Sequence, residues 1–191
     1  MTILLTGFEP FDGADSNPSW EAVSLIPDTL QGHAIHRLRL PVEYDRAAAI
    51  LKEEIARLHP DVVISVGVAG GRKAVTPELL AINYRYARIA DNAGVMHRGD
   101  AIDPQGETAR MTRLPVHQMI DAMNAAEVPA ALSLSAGAYV CNDVYYALLS
   151  CEEALGHRGL FVHVPAAADL PVPTVAKGLT LCIETLLKAD V

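Results

Sequence analysis

The sequence is short of positive charge: 15 Lys and Arg stand against 23 Asp and Glu, for a formal net charge of -8. Nucleic acid and anionic membrane surfaces both call for clustered cations and are not expected partners. Cysteine is also scarce. Cys141, Cys151 and Cys182 are odd in number and lack CxxC spacing, which argues against a disulfide framework or a zinc knuckle and leaves at least one thiol free. No apolar run approaches the roughly 20 residues of a membrane-crossing helix. The start, Met1-Thr2-Ile3, has neither the basic region nor the small-residue cleavage site of a secretory leader, so the expected location is the cytoplasm. Aromatics make up 5% of the chain, and two of its three phenylalanines, Phe8 and Phe11, fall in one short segment.

What is abundant is apolar aliphatic sequence, with 51% hydrophobic residues in 191, enough for one sizeable core and hence one domain over 1–191. Runs rich in Val, Ile and Leu at Ile3 to Leu5, Ile35 to Leu40, Val62 to Val66, Ala130 to Leu134 and Leu160 to Val164 have the unbroken character of strands covered on both faces. Helical periodicity occupies 17–26, with an Asn17 cap and Pro18 at the first helical position, then 43–58, 112–126, 140–155 and 173–189. Strands alternating with helices predict an α/β fold, a three-layer α/β/α arrangement around a mainly parallel sheet. Residues 84–111, broken by Asn92, Gly94, Gly99, Asp103-Pro104 and Gly106, read as a long excursion from that sheet.

Sheets of this class bind ligands at the carboxyl ends of their strands. After the first strand comes Thr6-Gly7-Phe8-Glu9-Pro10-Phe11, whose aromatic pair either walls a small apolar pocket or plugs the core. Gly67-Val68-Ala69-Gly70-Gly71-Arg72 follows the third, but its spacing is not GxGxxG and no Lys-Ser or Lys-Thr pair follows, so a phosphate loop is disfavoured. Glu78 lies just beyond, among Leu79, Leu80, Ala81 and Ile82. Ser135-Ala136-Gly137-Ala138-Tyr139-Val140-Cys141 leads from the fourth strand into a helix. A thiol at a helix start faces unpaired N–H groups and the positive end of the dipole, which favour thiolate. His163 ends the fifth strand in Phe161-Val162-His163-Val164-Pro165. A carboxylate, a thiol and an imidazole thus follow different strands toward one edge, the set that an acid-oriented Cys–His nucleophile requires. Cys151 and Cys182 sit inside helical patterns and are read as packing residues.

These residues lie in blocks that resemble the pyroglutamyl peptidase I family, also called pyrrolidone-carboxylate peptidases. TGFEPFDG with NPSWEAV, GVAGGRKAVTPE with LAIN, ARIADN, LSLSAGAYVCND and VHVPA occur in the family's order over nearly the whole chain. The resemblance implies a catalytic triad of Cys141 as nucleophile, His163 as general base and Glu78 orienting the imidazole, acting without metal or organic cofactor on N-terminally pyroglutamylated peptides. It implies that Phe8 and Phe11 hold the pyrrolidone ring, that Ile89, Tyr139 and Val140 complete the apolar wall, that Asn17 supports the loop and that Arg88 lies beside the site. A homotetramer is the assembly it implies.

Three departures are visible. Val68 stands where the family commonly has Gln, Tyr139 where Phe is frequent, and Met96 to Arg110 is unusually charged. Val68 belongs to the expected substrate-binding set, with one hydrogen-bonding side chain fewer than usual there. Two rival readings remain open on sequence. One is a nucleoside phosphorylase or hydrolase, in which the Cys–His pair would have no role. The other is a non-catalytic or altered-specificity homologue that binds pyroglutamyl-like ligands.

Overall fold

The computed structural model describes residues 1–189. In chain order the elements are β1 (Thr2–Phe8), α1 (Pro18–Ser24), β2 (Thr29–Leu30), β3 (His33–Leu40), α2 (Arg46–Leu58), β4 (Val62–Val68), β5 (Thr76–Glu78), β6 (Leu80–Ile82), β7 (Arg85–Tyr86), β8 (Arg98–Asp100), β9 (Ala109–Met111), α3 (Val116–Ala125), α4 (Val140–Ser150), α5 (Glu152–Leu155), β10 (Arg158–Val164) and α6 (Val172–Lys188). Six strands form the central sheet in the order β2-β3-β1-β4-β10-β5. Its four central strands run parallel, and β2 and β5 add antiparallel edges.

Alternation along the central strands divides the core in two. Ile3, Leu5, Val62, Ile64, Val66, Leu160, Val162 and Val164 pack with residues of α1, α3 and α6. Leu4, Phe8, Val63 and Phe161 point the other way, toward α2 and α4. Strands buried on both faces explain why β1, β4 and β10 read as unbroken apolar runs, and helices on either side give the three-layer α/β/α arrangement. Each fully buried Ile, Leu or Phe contributes about 1.5–3 kcal/mol, so both layers are needed to hold the sheet.

The helices follow local signals. Asn17 caps α1 by accepting from the Ser19 N–H at 3.0 Å, with Pro18 in the first turn, where its missing N–H has no cost. Ala47, Ala48, Leu51 and Ile55 put one buried stripe on α2, which ends at His59 in the left-handed conformation before Pro60. The α6 stripe runs Val175, Ala176, Leu179, Cys182, Ile183 and Leu186.

Three expectations need correction. Ala130 to Leu134 is not a strand of the sheet. It lies outside the β5 edge, touching that region through isolated bridges at Val75–Ala130 and Glu78–Ser133, and Leu132 and Leu134 are exposed, so no second layer rewards regular pairing. Helix 140–155 breaks at Cys151 into α4 and α5. The pattern at 112–126 becomes helical only after Pro115, since the residue before a proline is pushed out of the α region. The 84–111 excursion does leave the central sheet, and it carries two-stranded ladders of its own, β7 with β8 and β9 with β6.

Candidate active site

The parallel strands β1, β4 and β10 end together at Phe8, Val68 and Val164, and α4 begins over that edge. His163 is the penultimate residue of β10 and pairs with Gly67 of β4. Phe161 and His163 are two apart, so both project to the α4 side, with ring centroids 4.8 Å apart. Cys141, in the first turn of α4, brings its sulfur to this face. A Cβ added to Gly67 would meet Sγ of Cys141 at 2.8 Å. The thiol therefore lies against the ladder partner of His163.

Glu78 comes from β5, the antiparallel edge strand beside β10, and not from a position following a parallel strand. Its side chain is fully buried, and Oε1 accepts from Nδ1 of His163 at 2.7 Å. An ionised carboxylate can only accept, so Nδ1 carries the hydrogen and Nε2 is left with its lone pair. Burial pushes the Glu78 carboxyl upward, but the hydrogen bond of His163 and its charge when protonated, with help from Ser133 and Arg72, outweigh it and hold the group below the usual carboxylate range.

Burial holds His163 below the ordinary histidine value, against the opposing pull of Glu78. Burial pushes the Cys141 thiol up to about 12, the Glu78 charge adds to the rise and Arg72 opposes it. Enclosure by protein therefore opposes the pull of the helix start toward thiolate, although Cys141 remains partly accessible. Burial thus favours the neutral form of both the thiol and the imidazole.

The depressed histidines carry a consequence for stability. His157 is likewise held low by burial. Neutral buried imidazoles must take up protons on unfolding, so their contribution is complete above the model-peptide value of 6.5 and is lost as pH falls from there through the folded values. Glu78, also depressed, extends the loss to lower pH. Urea midpoints should be level between about pH 7 and 8 and fall below 6.5, and His157→Asn should make the acid-side fall shallower; above about pH 8 the buried thiols, held high in the folded state, lower stability again.

The neighbouring pocket is small. A cavity of about 30 Å³ is lined by Phe8, Phe11, Asn17, Val42, Val68, Tyr139, Val140 and Cys141, which brings together most of the expected substrate-binding set with the sulfur. Val42 was not anticipated. Asn17 takes part through its Nδ2, which donates to the Glu9 carbonyl at 2.9 Å, so its loop-supporting role is structurally available. Ile89 and Arg88 are exposed. They line an adjoining pocket of about 390 Å³ with Tyr86, Gly137, Ala138, Phe11 and Tyr139. Phe11 and Tyr139, ring centroids 6.4 Å apart, form the partition between the two spaces. The Tyr139 hydroxyl finds its partner in the Ala90 carbonyl at 3.0 Å. Two larger hollows, about 590 and 470 Å³, lie at the opposite end of the sheet among Asp61, Arg113, Glu152 and Arg158, away from the thiol.

Several supporting residues escaped the sequence reading. Arg72 donates to Glu78 Oε1 at 2.7 Å and to the Ser135 carbonyl at 3.1 Å. Asn142 ties the start of α4 to the excursion, accepting from the Ile82 N–H at 3.0 Å and donating to the Ile82 and Tyr84 carbonyls at 2.8 and 3.1 Å. Asp143 accepts from Arg85 Nε at 2.6 Å. The available signal was an Asn-Asp pair just after Cys141 in an otherwise apolar helix, where buried polar groups require partners.

Comparison with known proteins identifies the family. The sequence profile described as pyroglutamyl peptidase matches residues 1–190. A pyrrolidone-carboxylate peptidase of Saccharolobus islandicus is 38% identical, covering 98% of this chain and 95% of its own. One from Lactobacillus acidophilus is 37% identical over 99% of this chain and its entire length, 100%. Among solved structures, pyroglutamyl peptidase I of Bacillus amyloliquefaciens superposes with a TM-score of 0.93 at 35% identity, covering 96% of this chain and 95% of that one. A mutant pyrrolidone carboxyl peptidase of Pyrococcus furiosus superposes with 0.94 at 30% identity over 100% of both chains. With a thiol, an imidazole and a buried carboxylate gathered at one sheet edge and the family's profile matching from end to end, the chain belongs to the pyroglutamyl peptidase family of cysteine peptidases.

Proposed function

We propose that the protein hydrolyses the amide bond after an amino-terminal pyroglutamyl residue, using Cys141, His163 and Glu78. The observation that carries this reading is the buried Glu78–His163 hydrogen bond of 2.7 Å, set on the sheet face where Sγ of Cys141 rests against Gly67. Nε2 of His163 takes the thiol proton as sulfur attacks the pyroglutamyl carbonyl carbon, and Glu78 stabilises the imidazolium. The amides of Asn142 and Asp143 close on the Tyr139 carbonyl, which leaves those of Val140 and Cys141 as donors for the tetrahedral oxyanion. Collapse breaks the C–N bond, the imidazolium protonates the leaving amine, and a thioester remains on Cys141. Water, deprotonated by the same imidazole, attacks the thioester, releases pyroglutamate and restores the thiol.

The pocket chemistry supports the choice of substrate. Pyroglutamate has no charged amine, so an apolar wall of Phe8, Phe11, Val68, Tyr139 and Val140 accepts its ring, whereas an ordinary amino-terminus would be desolvated there without a counter-charge. Matched pyroglutamyl and prolyl amides provide the test, because the rings differ mainly in the lactam carbonyl and the amine charge. Cleavage of the pyroglutamyl compound alone is expected, and equal rates on both, or none on either, would sink the proposal.

Tyr139 makes a sharper prediction. The cavity beside the sulfur is narrow, about 30 Å³, so a shift of the Phe11–Tyr139 partition eases entry of a five-membered lactam. The Tyr139–Ala90 hydrogen bond opposes that movement. Tyr139→Phe keeps the ring and removes the bond, so KM for a pyroglutamyl anilide should fall about 2- to 10-fold, the size of one net hydrogen bond, with little change in kcat.

The reading extends to one domain, since both apolar clusters share one sheet, and to a reducing, cytoplasmic setting, supported by three free cysteines. No helix among the described residues is long and apolar enough to cross a membrane. Assembly as a homotetramer is supported by exposed Tyr84, Tyr86, Ile89, Val95 and Met96 on the excursion, and light scattering at a mass four times the chain's would bear it out.

A further inference from the structure

We infer that Arg72 is a positioning residue for this reaction, a guanidinium clamp joining the carboxylate arm of the site to the turn that presents the nucleophile. The inference rests on the proposed hydrolysis for the reaction it serves, while the contacts stand independently of it. The loop after β4 doubles back at Gly71, whose φ of 85° is left-handed and open to glycine without strain. Arg72 N then donates to the Ala69 carbonyl at 3.3 Å. The turn sends the side chain back across the strand ends instead of out to solvent.

There the guanidinium divides its donors. Nη1 reaches Glu78 Oε1 at 2.7 Å and also contacts Thr76 Oγ1, and Nη2 reaches the Ser135 carbonyl at 3.1 Å. Thr76 Oγ1 in turn donates to the His163 carbonyl at 3.2 Å. One planar group thus spans β5, the backbone beside the imidazole and the turn leading to Cys141, a reach that suits a fork of fixed geometry better than a point charge. These commitments also explain why the Gly-rich loop is not a phosphate cradle: its cation is already occupied by protein acceptors.

The load falls on one oxygen. Oε1 of Glu78 serves both His163 and Arg72, while Oε2 is buried without a partner among the described residues. Without Arg72 the carboxylate keeps the His163 hydrogen bond and the influence of the nearby Ser133 side chain, but loses its cation and can rotate its second oxygen toward the ring. Exposed ion pairs contribute little, but here the carboxylate side chain is 0% accessible and the arginine 27%, so loss of the cation strands a buried charge.

The test is a pH profile of kcat/KM on a pyroglutamyl anilide, paired with NMR titration of the His163 ring proton, for wild type, Arg72→Met, Arg72→Lys and Glu78→Gln. A nearby cation disfavours protonation of the imidazole, so Arg72→Met should move the acid limb and the titration to higher pH, with kcat down about 10- to 100-fold from misplacement. Glu78→Gln should move the titration to lower pH. Arg72→Lys should restore the limb but not kcat, because an ammonium cannot span Glu78 and Ser135 together. If Arg72→Met titrates like wild type and loses only thermal stability, the inference is wrong. Should that variant fail to fold, wild-type kcat in Arg72→Lys overturns it just as well. Absence of any pyroglutamyl cleavage by wild type would instead count against the proposed function, since the NMR titration still reads the coupling.

Discussion

Cys141→Ala is expected to lower kcat/KM for a pyroglutamyl anilide by about 10⁴-fold or more, the scale on which removal of a covalent nucleophile acts. The fold should survive. The change deletes one sulfur from a residue at the edge of a pocket, and α4 keeps the anchors beside it, Asn142 on Ile82 and Tyr84 and Asp143 on Arg85. A melting temperature close to wild type, with activity at background, is the expected pair of results. Cys151→Ala is the control: that thiol donates to the Leu148 carbonyl at 3.4 Å and lies at the far end of α4, so activity should be retained. Alkylation gives a second readout. Because burial holds the Cys141 thiol high, its reaction with iodoacetamide should be slow at neutral pH and accelerate as pH rises. Activity of Cys141→Ala near that of wild type would remove the nucleophile from the proposed mechanism.

Gly67→Ala should be the second most damaging change, at a residue with no chemistry of its own. The new methyl would meet Sγ of Cys141 at 2.8 Å and Cζ of Phe161 at 2.8 Å. Phe161 is fully buried, between β4 and α4, and has nowhere to go. The sulfur sits at the pocket edge and must give way. A displacement of about 1 Å between reacting groups costs on the order of 100-fold in rate, while the overpacking costs about 1–3 kcal/mol of stability. Kinetics and thermal melts measured together separate the two effects. If kcat is unchanged in a folded Gly67→Ala protein, the sulfur does not work from the position seen against this glycine.

The elements that were legible in the sequence are those whose environment is decided locally. β1, β4 and β10 are buried on both faces and announce themselves as aliphatic runs, and α1 carries its own cap in Asn17-Pro18. Ala130 to Leu134 has the same composition as a strand but lies outside β5 with Leu134 exposed. Composition reports how apolar a segment is, not whether a second layer covers it. The short strands β5 to β9 were illegible because two or three residues show no period, and their pairing is set by distant partners.

The site divides the same way. The residue types, their order along the chain and the placement of Cys141 at a helix start and His163 at a strand end belong to the sequence, because helix starts and strand ends are local features and Cys, His and Glu carry their chemistry with them. The charge states do not. Whether the thiol rests protonated, which imidazole nitrogen keeps its lone pair, and which cation holds Glu78 depend on burial and on contacts between residues far apart in the chain. Those were decided only when tertiary packing brought β5, β10 and α4 to one edge and closed solvent away from them.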